Sequence, residues 1–168
     1  RKRLRELRIF NKNIPEPNLL AFLDLVALGT VCDVVKLTSY NRMFVKMGLD
    51  LIKERKHKGI AQIIDNSNLH STPTSSDLGF TIGPQLNAAS RIGDSSLPFK
   101  LLISNNIEII ESISRRLILL NEKRKLIENN VYQEALIQAE KQIDQKFILV
   151  YGNEWHNGVL GIVASRLI

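Results

Sequence analysis

The sequence predicts a mainly α-helical segment with one long helix in its second half and a single β-strand near the C-terminus. Three observations carry this. From residue 107 to about residue 143, neither Gly nor Pro interrupts apolar residues that recur in alternating steps of three and four. Shorter stretches before it show helical spacing between breaks rich in Pro, Gly, Asn and Ser. Only residues 146–151, KFILVY, form a compact apolar run of strand length and composition.

Residues 1–13 form a basic arm ended by Pro15 and Pro17. Leu19, Leu20, Leu23, Val26 and Ala27 then give a helix with one apolar stripe, closed by Gly29 and Thr30. A second helix is expected over about residues 40–54 with Phe44, Met47 and Leu51 on one face, and a short one from Gly59 to Asp65. The polar stretch NSNLHSTPTSS, residues 66–76, reads as a surface loop. Gly83 and Pro84 suit a helix start and Gly93 its end. Another short helix fits residues 95–104. The long helix has Ile110, Ile113, Leu117, Leu120, Ile127 and Val131 along its seam, interrupted by Arg124; a coiled coil and a connecting helix both fit. The last ten residues begin one more helix. A lone strand is unstable by itself, so KFILVY is expected to find its sheet partners beyond Ile168.

The net charge of +6 invites a polyanion reading, but residues 1–13 hold six basic residues and one acidic, five of those six charges. Smaller clusters at Lys53, Arg55, Lys56 and Lys58, and at Arg115, Arg116, Lys123, Arg124 and Lys125, are either solvated helix faces or phosphate contacts. With 44% apolar residues the chain can build a core, and it lacks the run of about eighteen apolar residues that a membrane helix needs. No secretory leader opens it, and Cys32 has no second cysteine to pair with, so a reducing cytoplasm is expected. Glycine-rich phosphate loops, Cys-x-x-Cys pairs, Gly-x-Ser-x-Gly elbows and internal repeats are absent from the sequence.

Three runs offer chemistry. In GTVCDVV, Asp33 sits between apolar neighbours. A carboxylate fixed there suits a hard divalent cation such as Mn²⁺ or Mg²⁺, and equally suits a turn or a cap. In PQLNAASRIG, Asn87 and Arg91 share a helix face with Ser90 beside them. That face offers an amide, a guanidinium fork and a hydroxyl to phosphate, or Arg91 merely complements the helix C-terminus. In WHNGVLGIVASRL, Gly158, Gly161 and Ser165 line one side of a helix and Leu160, Val163 and Leu167 another; His156 precedes its start and Arg166 lies near its end. His57 and His70 receive no role.

Taken in this order, the three runs resemble the DHH/DHHA1 phosphoesterase family, and within it the exonucleases specific for single-stranded DNA. The resemblance covers nearly the whole chain. GTVCD looks like that family's fourth metal-binding motif, NAASR like its phosphate-binding motif, and WHNGVLGIVASRL like the opening of the DHHA1 domain. The resemblance implies an α/β parent, with residues 1–104 the C-terminal part of the DHH domain, 105–145 a connector helix containing LLNEKRKLIE, and 146–168 the start of DHHA1. It implies 5′-to-3′ cleavage of single-stranded DNA in recombination and repair by two Mn²⁺ or Mg²⁺ ions. Asp33 would be a metal ligand and catalytic residue; Asn87, Ser90, Arg91, His156, Gly158, Ser165 and Arg166 would contact phosphate or strand. Single-stranded DNA and repair proteins are the partners implied. The upstream family motifs, including Asp-His-His, do not occur and the chain begins with Arg1, so an internal piece, inactive alone, is expected. Gln85 stands where arginine is common, weakening phosphate attraction, and Ser90 where glycine is usual, narrowing the approach to the backbone. A DHH phosphodiesterase acting on short oligonucleotides or cyclic dinucleotides, and a non-catalytic remnant that binds DNA or a partner, are the rival readings.

Overall fold

A computed structural model describes residues 1–67, 69 and 72–168. Its helices are α1 (Lys2–Glu6), α2 (Leu23–Cys32), α3 (Ser39–Lys53), α4 (Lys58–Asn66), α5 (Ser75–Asp77), α6 (Gly83–Ile92), α7 (Ser96–Ile103), α8 (Ile107–Glu140) and α9 (Asn157–Leu167). A 3-10 turn, Leu19–Phe22, leads into α2, and one π-helical turn, Leu78–Ile82, joins α5 to α6. The loop expected over residues 66–76 includes Asn68, His70 and Ser71, which lie outside the described residues; Ser75 already opens α5.

The basic arm folds back through its own charges. Arg1 and Arg5 both pair with Glu16, whose carboxyl is held below the usual range chiefly by the hydrogen bond from Arg5. Helices α2 and α3 pack against each other, while α4, α6 and α7 pack against α8. Two apolar clusters share that long helix. The larger gathers Ile63, Leu78, Ile82, Leu86 and Leu101 with Ile110, Ile113 and Leu117 of α8; the smaller joins Val131 and Ala135 to Val159 and Val163 of α9. The expected seam is thus borne out at Ile110, Ile113, Leu117 and Val131. Its 34 residues span about 51 Å, and it packs on other helices of this chain along that length.

Some expected faces differ. Helix α3 buries Val45, Gly48 and Ile52 while Met47 is exposed, and α9 buries Val159 with Val163 while Leu160 is exposed. In the first apolar stretch, Leu19, Leu20 and Val26 are exposed and Leu23, Ala27 and Leu28 enter the core. Each miss is a choice among apolar positions a third of a turn apart, and the neighbouring helix makes that choice.

The C-terminal strand is not formed: residues 146–151 belong to no regular element. The backbone groups of Leu149 and Tyr151 are satisfied in another way. Gln142, in the turn that follows α8, donates to the carbonyl of Leu149 at 2.8 Å and accepts from its N–H at 3.1 Å. One helical turn earlier, Gln138 does the same for Tyr151, at 2.8 Å and 3.1 Å. Two side-chain amides therefore take the place of a neighbouring strand, serving alternate residues as a β-ladder would.

Candidate phosphate-binding site

The end of α2 is set by a backbone motif rather than by Gly29 and Thr30, which lie inside the helix. Val34 N–H bonds to Val31 O at 3.0 Å and Val35 N–H to Thr30 O at 3.1 Å, the paired bonds of a Schellman stop. The residue in the left-handed conformation is Val34, φ +55°, where glycine is normal. A β-branched side chain there costs roughly 1–2 kcal/mol. Asp33 is the C-cap of this helix, exposed, and no described residue donates to its carboxylate.

Helix α6 begins where α2 ends. A Cβ on Gly83 would fall 2.6 Å from the Cys32 sulfur and 2.8 Å from the Leu78 carbonyl oxygen, so only glycine fits between the Cys32 side chain of α2 and the backbone of the π turn. Pro84 follows at the helix start, where its missing N–H costs nothing. Burial pushes the Cys32 thiol pKa up, and the Asp33 charge adds to it, which keeps the sulfur protonated and packed rather than nucleophilic. Asn87, Ser90 and Arg91 are all exposed on one side of α6, and Gln85 turns the opposite way. Gln85 is buried and donates to Ser67 Oγ at 2.7 Å and to Thr81 O at 3.1 Å. It is a core residue between α4 and α6, so the expected loss of phosphate attraction at this position does not arise from the phosphate face at all. Ser90 spends its hydroxyl on Asn87 O, 2.9 Å away in its own helix.

Helix α9 arrives at the far end of α6. His156 caps it, Nδ1 accepting the Gly158 N–H at 3.0 Å. Arg91 Nη1 donates to Gly158 O at 3.0 Å. A cavity of about 130 Å³ lies among these elements, with Cys32 of α2, Gly79 of the π turn, Gly83, Pro84, Asn87 and Arg91 of α6, and Ile162 of α9 on its walls. Arg124 of α8 completes the lining.

The remaining expected residues divide. Gly158 is at the junction. Ser165 is exposed and bonded to Gly161 O at 3.0 Å within α9. Arg166 does not line the cavity: it pairs with Glu128 of α8 at 3.0 Å and lies 3.9 Å above the Tyr132 ring. The sequence places Arg124 in a basic cluster that is either a solvated helix face or a set of phosphate contacts, and as a charge interrupting an otherwise apolar seam; it does not by itself assign Arg124 to the Arg91 site. Among the described residues, no three His, Cys, Asp or Glu side chains come together as a metal ligand set. Asp33 therefore fits one ligand position and no complete centre.

No family model matches the chain. Over 163 residues, 93% of its length, it is 43% identical to the single-stranded-DNA-specific exonuclease RecJ of Salmonella typhimurium, and 42% identical over the same share to that of Escherichia coli. The chain spans 28% of each of these curated relatives. The crystal structure of RecJ from Thermus thermophilus in complex with Mn²⁺ superposes with a TM-score of 0.83 at 32% identity, covering 90% of this chain and 23% of that one. In sequence and in fold, the match is to one class of protein, the exonucleases specific for single-stranded DNA. Over these residues the chain is similar to RecJ in sequence and in fold.

Proposed function

We propose that this chain forms part of a metal-dependent 5′-to-3′ exonuclease acting on single-stranded DNA in recombination and repair. The observation that carries the reading is the exposed Asn87–Arg91 face, set beside a small cavity where α6 meets the start of α9. A guanidinium and an amide on a rigid helix can hold a phosphodiester in a fixed direction. Residues 1–104 would be the C-terminal part of a DHH domain, 105–145 the connector and 146–168 the opening of DHHA1.

Asp33 would supply one carboxylate to a Mn²⁺ or Mg²⁺ centre whose other ligands come from residues outside this segment; such ions activate water and stabilise the leaving oxygen. Support comes from the relatives' names and from the Mn²⁺ and Mg²⁺ complexes of the Thermus thermophilus protein. Ser90, His156, Gly158, Ser165 and Arg166 belong to the strand path in this reading, His156 through the ring nitrogen its cap leaves free. No helix among the described residues is long and apolar enough to cross a membrane. A cytoplasmic site of action and repair-protein partners are part of the proposal.

The test uses the full-length protein that contains this segment, with Mn²⁺, on 5′-phosphorylated single strands, dinucleotides and cyclic dinucleotides. Processive loss of the single strand, abolished by Asp33→Ala and reduced by Arg91→Ala, is the expected result. Preference for dinucleotides would move the protein to the oligonucleotide phosphodiesterases, and binding without cleavage would make it a non-catalytic member.

A further inference from the structure

We propose that Arg124 is a second phosphate-binding guanidinium, brought to the Arg91 cavity by the long helix and held in direction by Asn121 and Glu128. This rests on the reading of the Asn87–Arg91 face as a phosphate site. The apolar seam of α8 is buried before and after Arg124, at Leu117 and Val131, yet this position carries a charge whose side chain is only 12% exposed. Placing a guanidinium there is costly unless its charge and donors are answered.

The answers are partial in an informative way. Nη1 donates to Glu128 Oε2 and Nη2 to Asn121 Oδ1, each at 2.6 Å. A guanidinium has five N–H groups, so three remain beyond these bonds. Glu128 spends its other oxygen on Arg166 at 3.0 Å, and Arg91 is bonded to a neutral carbonyl rather than to a carboxylate. Two arginines, Arg124 and Arg166, thus share the one Glu128 carboxylate, and Arg91 has no carboxylate partner, so the cavity that Arg91 and Arg124 line is short of negative charge that a phosphate anion would supply.

A purely structural role explains less. Arg124 and Glu128 lie on the same helix, so their pair joins no two elements; the link from α8 to α9 is made by Glu128 with Arg166. The order, arginine four residues before glutamate, is also the less favourable one for stabilising a helix. What the pair does accomplish is to fix where the guanidinium points, and Arg124 lines the same cavity as Asn87 and Arg91. Glu128 and Asn121 are positioning residues for it.

The experiment measures binding of the 168-residue chain to a fluorescent, 5′-phosphorylated oligothymidylate by anisotropy across a salt series. Arg124→Gln should weaken binding by about tenfold or more, as loss of a charge-assisted bond does. It should also lower the slope of log affinity against log salt by about 0.7, the signature of one lost phosphate contact on a single strand. Arg124→Lys, which keeps charge and bulk but loses the fork, should weaken binding with the slope kept; Glu128→Gln should do the same by releasing the direction of Arg124. An unchanged slope in Arg124→Gln, whatever happens to its thermal midpoint, overturns the proposal and leaves Arg124 structural. If Arg91→Ala also leaves affinity and slope unchanged, or the parent chain binds no strand at low salt, the phosphate reading beneath it falls as well. An effect of Arg91→Ala alone sinks only the role given to Arg124.

Discussion

Arg91 and Gly158, 67 residues apart, lock the end of α6 to the start of α9 in both directions. The Arg91 side chain donates to Gly158 O at 3.0 Å, and the Arg91 carbonyl lies where a Cβ on Gly158 would stand. Backbone on one side and a helix start on the other leave no flexible atom to yield. Gly158→Ala should therefore destabilise the fold by about 1–3 kcal/mol, as overpacking does. Gly161, one turn along with nothing within 4 Å of an added Cβ, is the control. Gly161→Ala should be neutral or should stabilise by roughly 0.5–1 kcal/mol through helix propensity. Denaturant midpoints of the two variants check this; equal effects would remove the lock.

Val34 holds a left-handed backbone next to Asp33, and its side chain is almost fully exposed, so replacing it forfeits little packing. Val34→Gly should raise stability by about 1 kcal/mol, the relief of a β-branched residue from that conformation. Urea unfolding reads the gain directly. A loss instead would mean that the exposed side chain is in contact in solution.

His156 can be tested as a cap apart from any contact with a strand. Nδ1 accepts the Gly158 N–H, a task asparagine performs well and alanine cannot. His156→Asn should keep stability, and His156→Ala should lose about 1 kcal/mol. In the proposed strand path both variants weaken oligonucleotide binding. If His156→Asn binds as tightly as the parent chain, the histidine only caps.

Acid should loosen the approach to α6 at the capping box of α5. Asp77 is held below the usual carboxylate range chiefly by the Thr74 backbone N–H at 2.8 Å, and then by the Thr74 hydroxyl at 2.7 Å. A depressed folded pKa means that the unfolded chain binds the proton first. The contribution is therefore present above the ordinary carboxylate range and is lost as pH falls through the lowered value. Asp94, held down chiefly by the Ser96 backbone N–H, acts in the same direction. Asp77→Asn should flatten the acid limb of a stability profile followed by circular dichroism, with little change near neutral pH in the rest of the curve's shape.

Local spacing made much of this molecule legible. The seam of α8 is a matter of residues three and four apart, and Pro84 and Gly93 mark α6 because their backbone preferences act where they stand. The same spacing put Asn87 and Arg91 on one face. It could not choose between neighbouring apolar residues, as Met47 and Leu160 show, because the partner helix decides which side is inside.

The sequence by itself determined where the longer helices run and which side chains could meet a phosphate, since both follow from near neighbours along the chain; it did not show the short helices α1 and α5. Only the tertiary structure decided that Gln85 faces the core, that Arg166 answers Glu128, and that Arg124 joins Arg91 at one cavity. It also decided that Gln138 and Gln142 satisfy Leu149 and Tyr151 in place of a second strand. Each of these is a pairing made by the packing of separate elements, where hydrogen bonding of buried or half-buried polar groups, rather than local propensity, sets the outcome.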